Sequence, residues 1–323
     1  MLTDKFHRVQ DYLRISLTDS CNLRCGYCMP EDVSPCFLPA AEKMSAKEIS
    51  IIAEKFIGLG IKKIRLTGGE PLVRKDFSEI LSLLSEAAKN TTELAITTNG
   101  ILVHHFIDEF KKSNVRSVNV SLDTLLPERF EAITRRNQFH RVLSNIHLLL
   151  QHNFQVKINM VVMKNINDDE ITDFIRLTRD YPLEIRFIEF MPFRGNKWGK
   201  EKLVTSKEML EQAKYYFEIV PLPGNKNQTA KTFKVLGYEG QFGFISTMSE
   251  PFCEGCSRIR LTADGKMKNC LFSQEETDLL KVLRNGGDLK KEIVKSVADK
   301  NEKWGGQLLF GETINRNMNA IGG

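Results

Sequence analysis

Six of the seven cysteines in this 323-residue chain fall into two spaced groups. Cys21, Cys25 and Cys28 form a CxxxCxxC run, Cys253 and Cys256 form CxxC with Cys270 fourteen residues on, and Cys36 stands apart. Three thiolates on a loop containing Gly26 can bind three irons of a [4Fe-4S] cube and leave the fourth iron open to chemistry. Structural zinc is the alternative, but it favours four closed ligands, His7 is poorly spaced, and only Cys36 is near enough to add a fourth sulfur. The second group repeats the three-ligand arithmetic; taken alone, its CxxC would read first as a zinc knuckle. Disulfides are not expected. The opening residues are charged throughout, with no apolar signal-peptide run and no span of about eighteen apolar residues, so the expected compartment is the reducing cytoplasm.

The other chemistry-bearing residues are Gly68, Gly69 and Glu70 at a strand end, and the cations Arg14, Arg65, Lys157, Arg186, Arg258 and Arg260. What must position them is a series of short β-rich runs at 12–17, 63–67, 94–98, 116–122, 155–163 and 183–190, separated by helical patterns. Such alternation predicts βα units around a parallel sheet, an α/β fold of the incomplete (βα)6 TIM-like barrel kind. Ser45 with Glu48 and Asp76 with Glu79 read as capping boxes. Strand parity is informative: Arg14, Ser16, Arg65, Thr67, Thr97, Asn99, Asn119, Ser121, Asp123, Lys157, Asn159, Glu184 and Arg186 share one face. The alternate positions are nearly all Leu, Ile, Val, Met or Phe. A packed barrel would be apolar on both faces, so a polar, cationic lumen is built for a polar ligand. After residue 190 the pattern changes to α+β, with helices over 205–217, 278–284 and 289–300 and a hairpin turning at Asp264-Gly265. This divides the chain into a barrel over 1–217 and a second domain over 218–323. A net charge of +5 without blocks of like charge argues against nucleic acid.

CxxxCxxC with Tyr27 before its third cysteine resembles the radical S-adenosylmethionine superfamily. The surrounding residues narrow the resemblance. Arg14 to Pro30, Arg65-Leu-Thr-Gly-Gly-Glu-Pro71, Thr97-Thr-Asn-Gly100, Asn119-Val-Ser-Leu-Asp123 and Arg186-Phe-Ile-Glu-Phe-Met191 are similar to the family of GTP 3′,8-cyclases. The resemblance implies two [4Fe-4S] clusters, one on Cys21, Cys25 and Cys28 and an auxiliary one on Cys253, Cys256 and Cys270 whose open iron meets guanine. It places S-adenosylmethionine against Tyr27, Gly69, Ser121 and Met191, with Glu70 near its amino group. It carries GTP onto Arg14, Arg65, Thr97, Lys157, Arg258 and Arg260; Arg186 is added from parity. The implied reaction makes (8S)-3′,8-cyclo-7,8-dihydroguanosine 5′-triphosphate, the first step of molybdenum cofactor synthesis. No side chain serves as a nucleophile or as an acid-base pair in it. Also implied are an external electron donor, a cyclic pyranopterin monophosphate synthase that takes the product, a monomer or homodimer, and a Gly322-Gly323 tail reaching the active site. No membrane partner is expected. A non-catalytic iron-sulfur carrier is the rival reading, but it has no use for a strand-end Gly-Gly-Glu or a cationic lumen.

Overall fold

The structure is a computed structural model that describes residues 1–30, 37–89, 91–224, 227–307 and 316–322. Six strands follow the expected runs: β1 Tyr12–Ser16, β2 Lys63–Thr67, β3 Glu93–Thr98, β4 Ser117–Ser121, β5 Gln155–Val162 and β6 Glu184–Glu189. Each pairs in parallel with the next. Helices α1 Ala46–Gly58, α2 Phe77–Ala88, α3 Ile107–Lys112, α4 Pro127–Thr134, α5 Phe139–Gln151 and α6 Ile171–Leu177 occupy the crossovers. The helices cover one face. Leu13, Ile15, Ile64, Leu66, Val118, Val120, Ile158 and Ile185 of the strands join Ile49, Ile52 and Phe56 of α1 and Leu81 and Leu84 of α2 in one buried cluster. Each such side chain contributes roughly 1.5–3 kcal/mol by leaving water.

Local chemistry sets the helix starts unequally. Ser45 and Glu48 complete the capping box of α1. Asp76 stands at the N-cap of α2 but makes no capping bond, because Arg74 takes both carboxylate oxygens, Nε to Oδ1 at 2.7 Å and Nη2 to Oδ2 at 3.0 Å. A charged pair two residues apart has displaced the expected cap.

Among the described residues, the segment after 217 does not form a sheet of its own. After α7 Ser206–Tyr216 come β7 Ile219–Pro221, β8 Lys231–Val235, β9 Gln241–Ile245, β10 Arg258–Leu261, β11 Lys266–Lys268 and β12 Thr277–Asp278. Then follow α8 Leu279–Arg284, α9 Leu289–Ala298 and α10 Met318–Ile321. β10 lies parallel against β1 and β9 parallel against β6. The result is one sheet in the order β12-β11-β10-β1-β2-β3-β4-β5-β6-β9-β8-β7. Asp264-Gly265 makes the expected β10–β11 turn.

The sheet curls. On a flat sheet five strand spacings would separate Arg14 of β1 from Arg186 of β6 by about 24 Å, yet Arg186 helps depress the Arg14 pKa. The polar face is therefore concave, and its residues lie in register. Arg260, Arg14 and Arg65 align across β10, β1 and β2. Thr97, Asn119, Lys157, Glu184 and Gln241 align across β3, β4, β5, β6 and β9.

Candidate active site

The loop after β1 carries the first cysteine triad to the C-terminal ends of the strands. It rests on α4 through Arg24 N–H to Thr134 O (2.9 Å) and Gly26 N–H to Ile133 O (3.2 Å). The next strand end approaches it closely: Gly69 N–H donates to Thr18 O at 2.7 Å and Glu70 N–H to Ser20 O at 2.8 Å. A Cβ on Gly69 would lie 2.3 Å from Ser20 O, and one on Gly68 2.6 Å from Thr18 O. The two glycines thus admit the neighbouring backbone, besides lining the cavity beside it.

That cavity is lined by Cys21, Cys25, Tyr27, Cys28, Gly69, Thr97, Ser121 and Asn159, among others. Burial pushes Cys21 up to about 11, with Glu70 adding to it. Burial, then Cys21, pushes Cys28 up to about 12, and burial with Asp123 and the sibling sulfurs drives Cys25 well above the thiol range. Three thiolates so placed require positive charge among them, which an iron cluster supplies. Donors already face two of the sulfurs, Leu23 N–H at 3.4 Å from Cys21 and the Asn319 backbone N–H at Cys28. Among the described residues no three His, Cys, Asp or Glu side chains converge on a single-ion site. A cube asks for no such convergence, since each sulfur binds a different iron. The donor set fits that group.

Around this cavity two buried carboxyls are held in place. Glu70 accepts from Leu72 N–H (3.0 Å), Thr98 Oγ1 (2.8 Å) and Asn99 N–H (2.6 Å). Burial outweighs these donors and raises it to about 7. Asp123 accepts from Tyr27 Oη at 2.7 Å and Val161 N–H at 2.9 Å, and burial raises it to about 6. Glu70 and Met191 are absent from the cavity lining.

The concave face supplies the cations. Burial, with Arg65, Arg258 and Arg186 nearby, presses Arg14 down to about 10 against the pull of Tyr12. Arg260 is depressed further by burial and by Arg14 and Arg258. Arg65 spends its donors on Tyr12 Oη (2.6 Å), Ile96 O (2.7 Å) and Ser117 Oγ (3.4 Å). Glu184 bridges Lys157 and Arg186, each at 2.5 Å, and is held at about 2 by them despite burial. Thr97 Oγ1, Asn119 Oδ1 and Asn159 Oδ1 are buried on this face without hydrogen-bond partners. Closely set cations beside unpartnered polar atoms suit a polyanionic, hydrogen-bonding ligand.

A second cavity is lined by Cys253, Cys256, Cys270, Arg258, Arg260, Phe252 and Trp304 among others. Burial raises Cys253, whereas Arg258 and Lys300 overcome burial at Cys256 and bring it to about 6. Arg258 stacks 4.6 Å over Phe252 and donates to Thr229 Oγ1 at 2.7 Å. The chain's last described segment joins the two cavities. Met318 and Asn319 line the first, and Gly322 O accepts from Arg260 in the second. Cys36 and Gly323 lie outside the described residues.

Residues 15–178 match the Radical SAM superfamily and residues 183–305 the family Molybdenum Cofactor Synthesis C. The chain is 39% identical to a GTP 3′,8-cyclase of Alkaliphilus oremlandii, with all of both chains covered. The chain belongs to the GTP 3′,8-cyclase family. It is also 45% identical to the mitochondrial GTP 3′,8-cyclase of Arabidopsis thaliana, covering 100% of this chain and 84% of that one. It spans about half the length of the mammalian relatives it matches, each named molybdenum cofactor biosynthesis protein 1. The radical SAM fold extends to solved structures: Streptococcus suis SuiB bound to S-adenosylmethionine superposes with TM-score 0.64 at 17% identity, covering 88% of this chain and 68% of that one. The incomplete α/β barrel expected from the strand pattern is that fold. No helix among the described residues is long and apolar enough to cross a membrane.

Placed on this family member, Cys21, Cys25, Cys28, Tyr27, Gly69, Ser121 and Thr97 meet at the first cavity, and Cys253, Cys256, Cys270, Arg258 and Arg260 at the second. Arg14, Arg65 and Lys157 stand on the concave face. The sequence reading did not assign site roles to Asp123, Glu184 and Tyr12, which orient named residues, or to Lys300 beside Cys256. Asp123 and Glu184 carried the lumen parity and were legible as faces, though not as partners.

Proposed function

We propose that this chain is a GTP 3′,8-cyclase, making (8S)-3′,8-cyclo-7,8-dihydroguanosine 5′-triphosphate in the first step of molybdenum cofactor synthesis. The observation that carries the reading is that one segment, 318–322, touches both cysteine cavities, with the cationic face beside them. Cys21, Cys25 and Cys28 would hold one [4Fe-4S] cluster, and Cys253, Cys256 and Cys270 an auxiliary one able to meet guanine. The chemistry supplied by the first cluster with bound S-adenosylmethionine is a carbon radical able to take a hydrogen atom from the ribose. The chain's own residues do the rest by placement. Arg14, Arg65, Arg186, Arg258, Arg260 and Lys157 bind the triphosphate, with Glu184 releasing Lys157 and Arg186 as phosphate oxygens replace it. Thr97 offers its unpaired hydroxyl to the nucleotide. Tyr27, Gly69 and Ser121, which line the first cavity, would hold S-adenosylmethionine together with Met191, and Glu70 would fix the strand end beside it through its bonds to Leu72, Thr98 and Asn99. Gly322, whose carbonyl accepts from Arg260, would bring the tail of the chain to the nucleotide.

Residues 1–217 then form the barrel that carries the first cluster and 218–323 the part that carries the second, with nucleotide-binding cations drawn from both. We place the protein in a reducing compartment, the cytoplasm, served by an external electron donor and followed by an enzyme that rearranges the cyclic nucleotide to a pyranopterin. Anaerobic reconstitution should load about eight irons per chain, as two cubes require. Incubation with S-adenosylmethionine, reductant and GTP should then couple 5′-deoxyadenosine formation to GTP loss. Deoxyadenosine made at the same rate with and without GTP, or zinc bound at the second triad, would sink the reading.

A further inference from the structure

The second triad stands on a buried polar network drawn from both ends of the chain. Lys300, just past α9, is 1% exposed, and its Nζ donates to Gln10 Oε1 at 2.7 Å and Arg258 O at 3.0 Å. It reaches Cys256 O and Cys256 Sγ at 3.5 Å each. Gln10, fully buried, donates in turn to Cys256 O at 3.1 Å, while Arg8 donates to Cys253 O at 2.9 Å. A buried ammonium is ordinarily met by a carboxylate, because an unpaired interior charge is costly. The carboxylate of this network, Asp4, is taken by Arg8 Nε at 2.6 Å and by Gln10 Nε2 at 3.3 Å. Among the described hydrogen-bond partners of Lys300, the sulfur of Cys256 alone can carry a formal negative charge.

We infer that Lys300 is a positioning residue for the second cluster, donating a charged N–H···S bond to Cys256 that fixes its rotamer and raises the cluster's reduction potential. The inference rests on the two-cluster reading above. Reduction adds negative charge to a cluster. A cation fixed beside one ligand sulfur therefore favours the reduced form over the oxidised one, and hydrogen bonds to sulfur act in the same sense. Gln10 and Arg8 hold the carbonyls of the same two cysteines, so the lysine meets a sulfur whose backbone cannot swing away.

The test is a redox titration by electron paramagnetic resonance on the full chain carrying Cys21→Ala, Cys25→Ala and Cys28→Ala, which leaves the second triad's signal alone. At fixed poise the ratio of reduced to oxidised cluster should fall roughly tenfold in Lys300→Met, in keeping with one lost charge-assisted bond. Lys300→Gln, which keeps a donor without charge, should fall between, and Lys300→Arg should stay near the parent. Equal potentials in the Gln and parent chains at full iron loading would overturn the inference. So would a Met variant that melts early yet, once loaded with iron, titrates at the parent potential, since Lys300 would then serve packing alone. Failure of the two-cluster reading is read separately, from an iron count near four per unsubstituted chain.

Discussion

Glu70 sits in the interior with three donors around it and still has a carboxyl raised to about 7 by burial, against an ordinary value of 4.5. The native state thus binds more protons than the unfolded chain between those values, and stability falls as pH rises from about 4.5 through 7. The loss is about 3 kcal/mol, with Asp123 contributing in the same direction. In the iron-free protein, urea midpoints should therefore decline from pH 5 to pH 8 more steeply than in Glu70→Gln; parallel curves would refute the assignment. The cysteines were legible at this scale because their spacing is itself the signal. Lys300, Gln10 and Arg8 were not. Arg8 and Gln10 precede the first strand, Lys300 falls just past a helix that ends at Ala298 and not at 300 as its pattern suggests, and nothing in the local sequence says that residue 300 meets residue 10.

Strands announce themselves by alternation, and the polar parity of β1 to β6 survived intact as the concave face. The cap at Asp76 failed for a reason no capping pattern contains, namely the guanidinium of Arg74 two residues before it. The strand-end glycines were legible as a close approach, but what approaches is chiefly the Thr18–Ser20 backbone that launches the first triad. Gly69→Ala would set a methyl 2.3 Å from Ser20 O, so the loop must move or the strand end must unpair. We expect that variant to lose at least about 1–3 kcal/mol and to bind markedly less iron at the first triad. Near-normal loading with an unchanged melting temperature would contradict this. Gly322 is confined in the same way. Its φ is +86°, and a Cβ would fall 2.6 Å from Thr67 Oγ1 and 3.0 Å from Ser16 Cβ.

The joining of the sheet across residue 217 could not be read in advance, because parallel pairing between β1 and β10 spans some 240 residues and leaves no local trace. Its consequence is that β1 and β6 are interior strands only while β10 and β9 cover them. A chain ending at residue 217 should expose both as open ladders and collect in the void volume on gel filtration; a stable monomer with native circular dichroism would count against the continuous sheet. Among the described residues the outermost strands are β12, two residues long, and β7, three residues long and ending at Pro221. Such ends offer an incoming strand almost no register to copy, and Pro221 lacks the N–H that a ladder needs. The segment that brings the second triad to the site therefore also protects a twelve-stranded sheet from polymerising through its edges.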